Sequence, residues 1–466
     1  MGKALASFSQ KYRKNPAWYW LEATVLLFPI LPEYVSPFIL FIGFIVFKVQ
    51  WKKEGRKAKL GTIGKIEVIF MLLALVSVFW SSTKLDTLAT AGLWWGMFLV
   101  QIMIYNLCFT KHRIKRILHL AVYGGVANSV VAIIQILTYL LNKHGFIADS
   151  LVLVTPFYKA IDKAVYTWLP FEISTSTFSD RASGFFSNPN LLCTYLLFIY
   201  AITIYQFLNA RSKKEYVIYF IFNLLICGGI SSTLTRAGCI LALAGWIIMF
   251  VCLFKRHKKQ LLAVVVPTVV IIVPSILARY GIFDSVKTGE AISQTTNGAT
   301  AIKSSTAHFQ IWESVLDYIT SNVKTLLIGM GFGCESTGTM LLENYNLDKP
   351  HAHNFVLEIW AEIGIIGVVI LFIVIFTAVG KLLEIRTDTG RRLDMVFCML
   401  TSMVLVFALG LTDFIFNSPK QIIIFMMLMG ITQAISACYD KTLIKRPSDL
   451  LHAAEEDIDH AAHLTE

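Results

Sequence analysis

Charged residues are scarce in this chain of 466 residues. They make up 15% of it, whereas hydrophobic residues make up 56% and the mean hydropathy is +0.64. A water-soluble protein of this length needs more charge to cover its surface. Apolar runs recur along the chain, and each is long enough to cross the roughly 30 Å hydrocarbon core of a bilayer. The composition therefore excludes a soluble enzyme and predicts an all-α polytopic membrane protein.

The sequence also lacks a disulfide framework and a nucleotide-binding motif. Its eight cysteines form no CxxC pair, and only Cys334 falls in a long loop between predicted spans, so we interpret the cysteines as packing residues. The stretch GMGFG at 329–333 is similar to part of a dinucleotide loop, but no βαβ pattern surrounds it. We interpret it as a flexible turn.

The apolar runs predict about twelve transmembrane helices, of which the first two nearly adjoin, around residues 31–34. Their predicted positions are near residues 16–32, 35–48, 66–81, 87–109, 117–141, 187–208, 216–232, 237–254, 261–277, 354–380, 395–412 and 421–438. This divides the chain into an N-terminal bundle (1–141), an outer loop (142–186), a central bundle (187–277), a large outer loop with an amphipathic helix (278–353), a C-terminal bundle (354–438) and a cytoplasmic tail (439–466).

Basic residues predict the orientation. Most Lys and Arg residues lie in alternate loops, which read KVQWKKEGRKAKLGTIGK, KHRIKR, RSKK, KRHKK and KLLEIRTDTGRR. The positive-inside rule then predicts a protein of the cytoplasmic membrane with both termini in the cytoplasm and both long loops outside. The net charge of +11 is thereby explained by orientation and by contact with anionic membrane lipids, and we expect no nucleic-acid partner.

The second long loop contains the amphipathic stretch TAHFQIWESVLDYITSN at 306–322. Helical spacing places five apolar side chains on one face, namely Phe309, Trp312, Val315, Leu316 and Ile319. Such a helix lies on the membrane surface or caps a cavity. A helix packed onto the bundle is an equal alternative.

The first polar motif, RASGFFSNPN at 181–190, precedes the sixth span. Asn188 and Pro189 suit the start of a helix, so a capping role explains Asn188. Arg181 has less structural reason to lie at an outer membrane edge, because the positive-inside rule disfavours it there.

The second polar motif, SSTLTRAG at 231–238, joins the seventh and eighth spans. Arg236 stands at the outer edge among four hydroxyl residues, a combination suited to phosphate oxygens. Snorkelling of the arginine towards water is the structural alternative.

The third polar motif, HAHNFVLE at 351–358, introduces the tenth span. The predicted helix N-terminus attracts anions and disfavours protonated imidazole, so we expect His353 to be neutral and able to accept a proton. Asn354, Glu358 and Glu362 form one polar stripe at i, i+4 spacing. A metal site is a weaker hypothesis, because His351-x-His353 has no third ligand at a familiar spacing.

Together, RASGFFSNPNLLCTYLLF, SSTLTRAGCILALAG and HAHNFVLEIWAEIGIIGVVIL, in this order across about residues 180–440, resemble the O-antigen ligase and polymerase family. The resemblance implies a C-type glycosyltransferase architecture. It also implies transfer of a glycan from undecaprenyl diphosphate to an acceptor hydroxyl at the outer membrane face, without metal, nucleotide or other cofactor. The implied partners are the lipid-linked donor, a glycan or lipid-linked acceptor, membrane lipids and other polysaccharide-assembly proteins.

Transferred to this chain, the resemblance gives each motif a role. Arg181 and Arg236 would bind the diphosphate, and their planar forks suit bidentate contacts with phosphate. His353 would activate the acceptor hydroxyl as the catalytic base, supported by His351, Asn354 and Glu358.

One position departs from the family pattern. Many members carry an Arg four residues before the Trp of the outer amphipathic helix, and this chain has His308 there, before Trp312. This departure leaves open which lipid-linked donor is bound, but it does not change the expected class of reaction. The Lys- and Ile-rich composition favours a bacterium without an outer membrane, and therefore a capsule or wall polysaccharide polymerase.

The alternative from another functional class is a flippase for lipid-linked oligosaccharides. Transporters need polar groups or broken helices near the membrane midplane, whereas the polar motifs of this chain lie at the outer edge and Glu22 is the main charge within a span. A membrane scaffold would leave the polar cluster at 351–354 unexplained.

Overall fold

The computed structural model describes Tyr12 and residues 15–33, 35–146, 181–288, 291–385, 390–416 and 418–439. These residues form helices and contain no β-strand. Most of the first predicted outer loop, at 147–180, and the tail beyond 439 lie outside them. The helices, labelled in chain order, are α1 Pro16–Leu27, α2 Ser36–Lys53, α3 Gly61–Val76, α4 Lys84–Leu107, α5 Lys111–Lys143, α6 Pro189–Leu208, α7 Lys213–Ser232, α8 Arg236–Pro267, α9 Val273–Arg279, α10 Ile282–Thr288, α11 Thr296–Thr320, α12 Val323–Ile328, α13 Cys334–Tyr345, α14 Phe355–Leu383, α15 Gly390–Gly410 and α16 Pro419–Tyr439.

Nine helical segments in the described ranges are long and apolar enough to cross a membrane. This confirms a multi-pass, all-helical membrane protein, although the predicted count of twelve is not confirmed. The first predicted pair does not qualify: α1 has 12 residues, a rise of about 18 Å against a hydrocarbon core of roughly 30 Å. Its partner α2 contains three lysines (Lys48, Lys52 and Lys53).

The eighth and ninth predicted spans belong to one continuous element, from Arg236 through a π-helical turn to Arg279. This element reverses direction at His257, whose backbone is not helical. The Trp246 indole N–H donates to the Leu261 carbonyl at 3.2 Å, whereas fifteen residues of straight helix would separate them by about 22 Å. The element therefore forms two antiparallel helical segments, as the eighth and ninth predicted spans require.

Helix α6 lies at the centre of the bundle. All of its twenty residues are buried except Asn190, which is partly exposed. Asn188 caps the helix by accepting a hydrogen bond from the Asn190 N–H at 2.8 Å, and Pro189 occupies the first turn. The structure thus confirms the capping role predicted for Asn188.

A break at Ile363 and Gly364 interrupts α14 directly after Glu362, the last residue of the polar stripe. Gly364 has φ +72°, and a Cβ there would lie 2.1 Å from the Leu327 carbonyl oxygen, so only glycine fits. The N–H groups of Met330 and Gly331 donate to the carbonyls of Ala361 and Glu362 at 2.9 and 2.8 Å. The GMGFG stretch therefore packs backbone to backbone against the break, with defined partners that a flexible turn would lack.

Helix α11 contains the amphipathic stretch and begins ten residues earlier than that stretch. Its buried apolar side chains are Ile311, Val315 and Ile319, which cluster with residues of α13 and α14. Phe309 and Leu316, predicted for the same face, are exposed, because the buried stripe follows an i, i+4 repeat starting at Ile311. Of the two alternatives, the structure shows packing onto the bundle.

Candidate functional site

Four connections meet at one end of the bundle: residues 181–188 before α6, 233–235 before α8, 351–354 before α14 and 411–416 after α15. The opposite end contains the basic loops around 211–214 and 255–259, where Arg256 and His257 contact Asp394. The three motifs found in the sequence therefore converge at the end away from these basic loops.

Arg181 ties two of these connections together. Its Nε donates to the Thr233 carbonyl at 2.9 Å, and its Nη2 donates to Asn190 Oδ1 at 2.6 Å and to Thr235 Oγ1 at 3.1 Å. The preceding Leu234 has φ +50°, a left-handed conformation that is costly for a branched side chain. Arg181 is half-buried and helps to hold this turn in place.

Asn190 and Asp413 link the arginine to the histidines. The Asn190 side chain accepts from Arg181 and hydrogen-bonds Asp413. Asp413 lies in the short connection between α15 and α16 and accepts from the N–H of Phe414 at 2.9 Å. Neither residue is among the site residues predicted from the sequence.

His353 is held by Asp413. The distance from His353 Nδ1 to Asp413 Oδ1 is 3.2 Å, and 24% of the histidine side chain is exposed against 12% of the aspartate side chain. His353 has φ +51°, an uncommon left-handed conformation for histidine. An Nδ1–H donated to the carboxylate leaves Nε2 as the ring's proton acceptor.

Hydrogen bonds from three directions fix the histidine loop. The Ala352 N–H donates to Glu358 at 2.5 Å, and the Trp312 indole N–H donates to the Ala352 carbonyl at 3.0 Å. Asn354 caps α14 by accepting from the N–H groups of the following turn and donates to the Leu411 carbonyl at 3.1 Å. Glu358 and Asn354 therefore act on the loop's shape, and α11 contributes through Trp312.

Two further imidazoles surround His353. The ring centroids of His351 and His308 lie 4.2 and 4.9 Å from its own. Burial, with a smaller contribution from the charge of His353, lowers the pKa of His351 to about 3. Burial also lowers the pKa of His308, so both neighbours are neutral at pH 7.

Asp413 is charged in the same surroundings. Burial alone would raise its pKa, but the hydrogen bond from His353 and the charges of His351 and His353 outweigh it and lower the pKa to about 2. The site therefore combines an ionised carboxylate with three imidazoles.

Arg236 lies at the N-terminus of α8 beside this group. Its guanidinium carbon is 5.6 Å from the centroid of the Tyr280 ring, and its charge is one of the minor influences on the pKa of His308. The side chain is half-exposed, and an N-terminal helix position adds free N–H groups that favour anions.

The ligand atoms of His351, His353 and Asp413 lie within 4.8 Å of one another. The sequence spacing offered no third metal ligand, and the fold supplies one sixty residues further on. A metal-ligating donor set and a base held by a carboxylate are therefore both available in this geometry.

Two signals in the sequence could have indicated the residues that were missed. Asp413 is an acid in a short connection between two apolar spans, and an ionisable residue this close to a membrane-spanning segment is a candidate for function. Asn190 belongs to the Asn-Pro-Asn turn, whose second amide is not needed for capping.

A comparison with known protein families matches residues 221–372 to the family described as O-antigen ligase. The match includes Arg236, His308, His351 and His353, whereas Arg181 and Asp413 lie outside it. No curated protein matches the chain. Residues 221–372 of this multi-pass membrane protein thus match the O-antigen ligase family, and the match supports glycosyl transfer as the general activity.

Proposed function

We propose that this protein transfers a glycan from undecaprenyl diphosphate to an acceptor hydroxyl at the outer face of the cytoplasmic membrane, as a polysaccharide polymerase or ligase. The observation that carries this proposal is the pair of His353 and Asp413, 3.2 Å apart, beside two arginines at one end of the bundle. A base, a group that orients it and cations for a leaving diphosphate are the parts that such a transfer needs.

In the proposed reaction, His353 Nε2 takes the proton of the acceptor hydroxyl while the hydroxyl oxygen attacks the anomeric carbon of the donor sugar. The bond from that carbon to the diphosphate oxygen breaks, and its electron pair leaves with the diphosphate. Asp413 keeps Nδ1 protonated and stabilises the imidazolium that forms. His351 and His308 are neutral at pH 7, so they do not oppose that positive charge.

Of the two arginines, Arg236 would make the main contact with the diphosphate. Its guanidinium is half-exposed at a helix N-terminus, which suits bidentate contacts with phosphate oxygens. Arg181 would add charge from the other side of the turn and also hold Thr233, Thr235 and Asn190 in place. This reaction uses no metal or nucleotide, so we expect chelators to leave it unaffected.

The basic loops at the opposite end support an outer location of the site, and cysteine labelling tests it. In a cysteine-free background, Ser305→Cys in α11 should react with a membrane-impermeant maleimide in intact cells. Arg116→Cys replaces an exposed residue near the start of α5, at the end of the bundle away from the site. It should react only after permeabilisation. The reverse pattern would contradict the orientation and the proposed reaction with it.

The direct test is reconstitution in proteoliposomes with lipid-linked repeat units, followed by gel separation of the products. Wild type should produce a ladder of longer glycans, and His353→Ala should lose about 10²- to 10⁴-fold in rate while still binding donor. His144→Ala, which replaces an exposed histidine at the end of α5, serves as the matched control. A ladder of normal rate from His353→Ala would refute the proposed base, and movement of intact donor between leaflets without transfer would favour a flippase.

A further inference from the structure

We infer that His351, His353 and Asp413, with His308 as the fourth ligand, form a reversible binding site for one divalent transition-metal ion, in particular Zn²⁺. We further infer that the bound ion inhibits transfer. The binding site stands on geometry alone, and the inhibition rests on the proposed function.

The geometry is close to that of a metal centre. The ligand atoms of His351, His353 and Asp413 lie within 4.8 Å of one another. Two ligands at Zn–N distances of about 2.0–2.1 Å in a tetrahedron are about 3.4 Å apart, so shifts of roughly 1 Å would complete the coordination. The surrounding hydrogen bonds to Ala352 fix the backbone that carries both histidines, so these shifts would come from side-chain rotation.

His308 would supply the fourth ligand. Its ring centroid is 4.9 Å from that of His353, with 32° between the ring planes, and it reaches the cluster from α11 rather than from the loops. Three histidines from two elements and one aspartate from a third are a donor set that suits zinc, copper, nickel and cobalt. Magnesium and calcium prefer oxygen ligands alone, so we expect them to be excluded.

The charges allow binding and also limit it. Imidazole binds a metal through a neutral nitrogen, so three imidazoles and one carboxylate would leave a bound dication with a net positive charge. Arg181 and Arg236 stand nearby and oppose it. We therefore expect an affinity below that of closed structural zinc sites, and complete removal of the ion by chelators.

Inhibition is expected because the metal ion and the proton of the acceptor hydroxyl would compete for the same nitrogen lone pair of His353. A metal ion on His353 occupies the nitrogen that would accept the hydroxyl proton or displaces the hydrogen bond that orients the ring. In either case the proton transfer stops. Zinc should lower the rate without preventing donor binding at Arg236.

Binding is tested with Co²⁺ on the full-length protein in detergent, since tetrahedral cobalt with nitrogen and oxygen ligands gives visible absorption bands. Purification must avoid a polyhistidine tag, and the tail histidines His452, His460 and His463 are replaced by Ala because they offer a second binding site. One equivalent of Co²⁺ should produce the bands, and Zn²⁺ should abolish them. Mg²⁺ and Ca²⁺ should have no effect.

Three variants and one control locate the ion. His351→Ala, Asp413→Asn and His308→Arg should each weaken cobalt binding at least about tenfold, since arginine offers no lone pair for a metal. The exposed His144→Ala control should bind as wild type does. Absence of saturable binding, or binding that all three variants leave unchanged, would overturn the site.

The activity measurements separate this inference from the proposed function. Transfer in EDTA, and its loss on adding Zn²⁺, would support both. Cobalt binding with zinc-insensitive transfer would overturn inhibition only. Cobalt binding without transfer in any condition would overturn the proposed function and leave the site standing. Transfer that EDTA abolishes and zinc restores would overturn both inhibition and the role of His353 as the base.

Discussion

Replacing Asp413 with Asn tests the His353–Asp413 pair most sharply, because it changes the charge at nearly constant size. Asparagine can turn its NH₂ group towards His353 Nδ1, which would favour the tautomer whose proton is on Nε2. That tautomer cannot accept a proton from the acceptor. The variant should therefore retain donor binding and lose turnover.

The structure gives the expected magnitude. The pKa of Asp413 lies at about 2 instead of the ordinary 3.8, a difference that corresponds to about 2.5 kcal/mol in favour of the ionised carboxylate. The hydrogen bond from His353 contributes most to this lowering, and the imidazolium of the transition state would make the same contact. Losing about 2.5 kcal/mol there lowers kcat on the order of 10²-fold, and the wrong tautomer lowers it further.

The assay is the rate of glycan extension in proteoliposomes at saturating donor, with donor binding measured separately. Asp348→Asn, which changes an exposed aspartate five residues before His353, is the matched control and should retain wild-type kcat. A loss of less than about fivefold in Asp413→Asn, with unchanged thermal stability, would mean that the carboxylate does not orient the base.

Two further predictions concern the neighbouring groups. Arg236→Lys should lower kcat/KM for the donor by roughly 10- to 100-fold, because one arm of a charged pair is worth about 1.5–3 kcal/mol. Arg116→Lys, in an exposed pair, should have no effect, and equal rates in both variants would refute the phosphate contact. Burial lowers the pKa of His351 from 6.5 to about 3, so between these pH values only the unfolded chain binds this proton. The free energy of unfolding should therefore fall by about 1.4 kcal/mol per pH unit as the pH drops below 6.5. Thermal scans of His351→Leu should show a shallower pH dependence, and a slope identical to wild type would contradict the assignment.

The parts of the fold that follow from local chemistry could be predicted. The start of α14 at Phe355 follows from the Asn354 cap and the apolar run. The passes on either side of residues 255–259 follow from the basic cluster between them. Helices α1 and α2 are predicted as full spans because a hydropathy average neither shows where α1 ends nor weighs the three lysines of α2. Pro29 follows the C-cap residue Phe28, and the turn at 28–31 ends α1 after 12 residues.

The site could be predicted only in part, for a related reason. His351, His353 and Arg236 lie in motifs whose polarity is unusual beside a span, so the sequence alone draws attention to them. Asp413 is sixty residues from His353, and its role depends on α14, α15 and α16 meeting at one end. No periodicity within one helix carries that information.

The break in α14 has a consequence for the order of assembly during synthesis. Inside a bilayer, backbone carbonyls that a break releases must find partners within the protein, and here two of them find the N–H groups of Met330 and Gly331. Those donors precede α14 in the chain, so the ribosome delivers them before the helix that needs them. The first turns of α14, and the histidine loop that leads into them, therefore settle onto a surface that is already in place.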